Sequence, residues 1–178
     1  MNEIASLVAA TLSAGTPLLL AATGVVVSEK SGVVNLGIEG MMLVAAAAGF
    51  GAAHASGIPE VGFLAGVAAG IVLALLFAAL TLGLLTNQYA TGLALALFGA
   101  GISAFLGQAL QGESLSPRGG DGIPGLRDIP IVGPALFAQH WLVYFALIAA
   151  AAVAGFLYRT RAGLVLRAVG ESPDAAHA

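Results

Sequence analysis

SEKSGVVNLGIEGMMLV, residues 28–44, is the stretch on which the fold turns. It begins as a charged turn, Ser28-Glu29-Lys30-Ser31-Gly32, and becomes an apolar run that continues to about Ala55. Inside that run lies a carboxylate, Glu39, with Asn35, Gly37 and Gly40 beside it. A charged group within a membrane-length segment is costly, so it marks a functional site by default. Glycines at that spacing let two backbones approach or let a helix break.

Outward from this stretch the chain is apolar almost throughout. Of 178 residues, 59% are hydrophobic and 8% charged, against roughly 25% charged in soluble domains. The mean hydropathy of +0.99 agrees. Long continuous runs argue for helices rather than a barrel. The expected fold is all-α, a polytopic bundle of about five spans with a broken or polar second span. The spans fall at about 4–27, 33–55, 61–85, 87–110 and 135–158, so residues 1–158 form the membrane region and 159–178 a linker. Glu3 sits where a secretory signal would carry Lys or Arg, so the first run reads as a retained span. Pro17 is expected to kink that span.

Charge excludes several function classes. Six Lys and Arg form no basic patch, which argues against nucleic acid. There is no cysteine, hence no disulfide or thiolate metal site. No phosphate loop, zinc-protease or nucleophile-elbow pattern occurs, and no catalytic residue or metal ligand set is expected. His54 and His140, at span ends, read as interfacial; Trp141, Tyr144 and Tyr158 read as an aromatic belt. Arg159, Arg161 and Arg167 follow the fifth span and place the tail in the cytoplasm. The 111–134 loop then falls outside, although it carries Arg118 and Arg127.

Two polar groups are candidates for a substrate path. Asn35 and Glu39, four residues apart, would share one helix face. Glu39 lies about 10 Å into its span at 1.5 Å per residue. It either lines an aqueous path or snorkels to the interface. Asn87, Gln88 and Thr91 open the fourth span; they either start a helix, with Thr86 or Asn87 as cap, or join that path. Gly62, Gly66 and Gly70 in the third span form a small-residue ridge for helix packing. In the tail, Gly170 is expected to break the chain and Ser172-Pro173-Asp174 to cap a new helix. The sequence stops as that helix begins, so a longer polypeptide is expected.

Three segments in this order resemble permease subunits of ABC importers: SEKSGVVNLGIEGMM at 28–42, NQYATGLALALFGAG at 87–101, and TRAGLVLRAVGESPDAA at 160–176. The similarity is to nucleoside and simple-sugar permeases, related to those for ribose, galactose and branched-chain amino acids, and it covers nearly the whole chain. The resemblance implies an inner (plasma) membrane protein working by alternating access. It implies a separate ATPase subunit that holds ATP and Mg, a second permease subunit, identical or not, and an extracytoplasmic solute-binding protein. No cofactor would sit on this chain. It further implies that Ser172, Asp174, Ala175 and Ala176 start the helix that docks on the ATPase, with Asp174 where Glu is more usual. A secondary transporter or channel, a branched-chain amino-acid permease, and a non-transporting scaffold are the rival readings.

Overall fold

A computed structural model describes residues 2–115, 125, 133–172 and 176 of the chain. Most of the described residues are helical, with no strand among them. Among the described residues, five helices are long and apolar enough to cross a membrane. They are α1 (Asn2–Lys30), α2 (Ile38–Ser56), α3 (Pro59–Ala78), α4 (Gln88–Gln108) and α5 (Trp141–Arg159); a sixth, α6 (Arg161–Glu171), is short. π-helical turns at Ala79–Gly83 and Gly133–Phe137 follow α3 and precede α5. Large apolar side chains cover the outside: Phe105 is 73% exposed and Leu97 69%. Bundles in water bury such groups; here they suit lipid, and the chain is a multi-pass membrane protein.

The chain forms two compact units, Val33–Ser116 and Met1–Gly32 with Pro117–Ala178. In the first, α2 and α3 are an antiparallel hairpin. Gly57, in the left-handed region at φ 69°, ends α2 and donates to Ala53 O, and Pro59 opens α3 where its missing N–H costs nothing. The glycine ridge of α3 meets α2 at two of its three positions. A Cβ at Gly62 would lie 2.5 Å from Gly49 O, and one at Gly66 3.0 Å from Ala45 O, whereas Gly70 faces open space. Helix α4 runs parallel to α2, since Gly37 meets Gly92 and Gly51 meets Leu110. Met41, Val44, Leu73, Phe77 and Leu95 form the core of this unit.

At the end of α3 the backbone widens. Leu84 N–H reaches Ala79 O at 3.0 Å, five residues back, and Thr86 Oγ1 donates to Leu80 O at 2.9 Å. Leu85 closes the turn at φ 54°, a conformation that non-glycine residues adopt only at a cost.

In the second unit, α1 runs unbroken through Pro17, so the expected kink does not interrupt the helix. Its Thr11, Thr16 and Thr23 hydroxyls donate to the carbonyls four residues back, which hides them from lipid. Helices α1 and α5 are parallel neighbours. Ser13 Oγ donates to Gln139 Oε1 at 3.1 Å just before α5, and Val26 shares a shallow cavity with Leu157 and Tyr158 at its far end. Buried Gln139 also donates to Ala135 O, so both ends of its amide are used. His140 caps α5.

Gly170 was expected to break the tail. Instead α6 runs through it to Glu171. The glycine is tolerated because its missing side chain is needed for a close contact. A Cβ there would overlap Lys30 O and come within 2.8 Å of Gly32 N.

Candidate functional site

The residues Val33-Val34-Asn35-Leu36-Gly37 are not helical. Two features of the sequence produce the break. Asn35 folds its side chain forward, and its Oδ1 accepts from Gly37 N–H at 2.8 Å, an Asx turn. Gly37 then supplies the carbonyl that starts α2, accepting from Met41 N–H at 3.0 Å. The expected pairing of Asn35 and Glu39 on one helical face is therefore corrected: Asn35 precedes α2, and Glu39 sits in its first turn. There the carboxylate faces the positive end of the helix dipole, and it is exposed.

Backbone that leaves the helical ladder must find other hydrogen-bond partners. Val34 N–H finds one in Gln88 Oε1 at 2.8 Å. Gln88 is the first residue of α4, and its neighbour Asn87 caps that helix, accepting from Ala90 N–H at 3.1 Å. The two adjacent amides thus divide the work: Asn87 starts α4, and Gln88 ties the start of α4 to the broken turn. Thr91 Oγ1 lies 2.8 Å from Thr86 Oγ1 and lines an open groove of about 580 Å³ between α3 and α4, otherwise apolar, with Leu76, Leu80 and Phe98.

Glycines let the turn sit against α4. A Cβ at Gly92 would lie 2.7 Å from Leu36 N; one at Gly40 would lie 2.6 Å from Leu95 O; one at Gly99 would lie 2.5 Å from Gly40 O. The backbones touch directly along three successive levels. Of the two roles expected for these glycines, Gly40 takes the close approach: it is helical and serves this crossing.

Of the path candidates, Asn35, Gln88, Asn87 and Thr91 gather at the N-terminal ends of two parallel helices, with Glu39 one turn deeper on α2. The amide oxygens of Asn35, Asn87 and Gln88 all accept from backbone N–H groups. The cluster can hold hydroxyls or ring nitrogens by hydrogen bonds; it offers no nucleophile with a base. No group of three metal-ligating side chains occurs among the described residues. In the tail, Ser172 is extended and its N–H donates to Ala168 O. Its carbonyl accepts from Ala176 N–H at 3.0 Å. Asp174 and Ala175 lie outside the described residues, as does most of the 111–134 loop.

Two features escaped the sequence reading. His54, expected to stand alone at the interface, pairs with Glu113 at 3.5 Å and stacks on Phe50. Fifty-nine residues separate the partners, so no local spacing announces them. Helix α6 was taken as linker, although Thr160 is a good cap; its Oγ1 accepts from Gly163 N–H at 3.0 Å. The signal was there, and the presumed break at Gly170 hid it.

Residues 7–178 match the family model for the permease component of branched-chain amino acid transport systems. The chain is 42% identical over 180 residues to a provisionally named glucose ABC transporter permease protein, TsgC13, of Haloferax volcanii, covering 99% of this chain and 55% of that protein. It is 35% identical to the guanosine ABC transporter permease protein NupQ of Bacillus subtilis, covering 96% of this chain and 57% of the relative. It is 34% identical to the nucleoside ABC transporter permease protein NupC of Lactococcus lactis subsp. cremoris, covering 99% and 59%. The chain therefore spans a little over half the length of these curated relatives. No solved structure matches it significantly. With a match over residues 7–178 on a five-span helical framework, the chain belongs to the family of branched-chain amino acid transport system permease components.

Proposed function

We propose that this chain is a membrane-spanning part of a permease subunit in an ATP-driven importer of nucleosides or simple sugars. The observation that carries the proposal is the broken, polar start of α2, held against α4 by Gln88 and by glycine contacts. Broken helices with helix N-termini facing a polar cluster are how transporters bind solutes within a membrane. The relatives' names, for guanosine, nucleoside and glucose permeases, support the solute class.

In this reading the chain performs no chemistry. ATP and Mg are held by a separate ATPase subunit, and a second permease subunit completes the path. A solute-binding protein delivers the solute from outside. The tail faces the cytoplasm of an inner-membrane protein, and Ser172, Asp174, Ala175 and Ala176 begin the segment that meets the ATPase. The bond from Ala176 N–H to Ser172 O, four residues back, supports a helix starting there.

The test is uptake and ATP hydrolysis measured together in proteoliposomes holding the intact permease and its ATPase. ATP-dependent uptake of nucleosides or glucose is expected. Uptake of branched-chain amino acids alone would replace the solute assignment, and absence of any ATP dependence would overturn the importer reading. Ala175→Arg should leave hydrolysis running while uptake falls, because a long charged side chain overpacks a small-residue contact. Both activities at the unmodified level would remove Ala175 from the contact.

A further inference from the structure

We propose that α6 is a strap tying the ends of α1 and α5 together, and that Gly163 and Gly170 are the positioning residues through which motion at Ser172 reaches both spans as one. The proposal rests on the reading that the segment from Ser172 onward meets the ATPase.

The strap is anchored at two places. At its start, Thr160 turns the chain: its hydroxyl donates to Phe156 O at 2.6 Å and accepts from Gly163 N–H. Gly163 is buried, and a Cβ there would overlap Phe156 O and lie 2.7 Å from Leu157 Cα. At the far end, Gly170 packs on the last turn of α1. A Cβ there would overlap Lys30 O and lie 2.8 Å from the Ser31 carbonyl carbon. Gly32, at φ +84°, shapes the turn that receives it.

The length fits. Seven residues separate the two glycines, about 10.5 Å of helix at 1.5 Å per residue. Packed helices stand about 8–10 Å apart, and α1 and α5 are parallel neighbours. The strap is therefore long enough to reach from one helix end to the other. Between the anchors, the Arg167 guanidinium lies 4.9 Å from the centre of the Tyr158 ring, a cation–π contact that holds the middle of α6 to the last turn of α5.

The anchors are backbone on backbone. Such contacts contain no side chain that can change rotamer, so they transmit displacement rather than absorb it. Ser172 lies two residues past Gly170, and its N–H is bonded to Ala168 O. A push on Ser172 thus meets a continuous helix seated on both spans.

The test compares variants of the intact transporter, with its ATPase, in proteoliposomes. Gly170→Leu should unseat the strap from α1. Solute moved per ATP hydrolysed should fall about tenfold or more, the scale of an overpacking penalty, with the solute KM unchanged and hydrolysis persisting. Gly170→Ala should fall between Gly170→Leu and the unmodified protein. A proportional loss of both activities, or an unchanged ratio, would overturn the strap. Should Gly170→Leu fail to fold, a second measurement decides. Cysteines at Ser31 and Val169, joined by a short thiol cross-linker, should leave uptake per ATP intact, because the joined parts move together. Loss of uptake on cross-linking means α6 parts from α1 during the cycle, and refutes the strap. Ala175→Arg separates the two levels. If it uncouples while Gly170→Leu does not, the strap alone is wrong; if it changes nothing, the ATPase-facing reading fails and the strap loses its input with it.

Discussion

Placing a methyl group at Gly40 tests whether the crossing of α2 and α4 holds the Val33–Ser116 unit together. A Cβ there would stand 2.6 Å from Leu95 O and 2.7 Å from both Ala96 Cα and Ala96 O. Ordinary contact begins at 3.4 Å, so the nearest approach is about 0.8 Å too short. All three obstructing atoms are backbone, and no rotamer change relieves them. The helices must separate, which opens Gly99 and Gly92 as well. Overpacking in a tight core costs about 1–3 kcal/mol, and backbone obstruction puts Gly40→Ala at the upper end. Against this stands the helix-propensity gain of Gly to Ala, about 0.8–1.0 kcal/mol. The net expectation is a loss of about 1–2 kcal/mol. Gly70→Ala is the control. It lies in α3 with nothing within 4 Å of the new methyl group, so only the propensity gain remains, and stability should rise or hold. The assay is thermal unfolding of the purified protein in mild detergent, followed by helical circular dichroism. Gly40→Ala must melt below the unmodified protein, and Gly70→Ala must not. The double variant Gly40→Ala with Gly99→Ala should lose less than the two single losses added, because both methyl groups force the same separation. Equal melting of Gly40→Ala and Gly70→Ala would refute the close crossing.

Two further substitutions address the polar cluster. Gln88→Leu removes the acceptor of the half-buried Val34 N–H and should cost about 1 kcal/mol, the net worth of one hydrogen bond; Gln88→Glu, which keeps an acceptor, should melt closer to the unmodified protein, and the same unfolding assay checks both. Glu39→Gln should fold normally, since the site is exposed, yet lower ATP-driven uptake in proteoliposomes; unimpaired uptake would favour a carboxylate that merely snorkels to the interface.

The sequence alone determined that this chain is a helical membrane protein with the five spans found among the described residues, because span length and the near absence of charge are properties of the chain itself. It also put the head of α4 at Thr86 or Asn87, since a cap acts within four residues, and the structure selects Asn87. The glycine ridge of α3 was legible as a packing face, but the sequence could not say that Gly62 and Gly66 meet α2 while Gly70 does not. That depends on how closely the two hairpin helices approach at each level. Likewise, Asn35 and Glu39 fit a helical spacing on paper. The Asx turn that takes Asn35 out of the helix is local, but only the tertiary structure supplied an acceptor for the freed Val34 N–H, on Gln88 fifty-four residues further along. Gly170 makes the same point in reverse. Local propensity reads a lone glycine as a helix breaker, whereas its seat on Lys30 and Gly32 keeps α6 intact. Propensity is worth about 1 kcal/mol per glycine, and contacts between segments far apart in sequence exceed it.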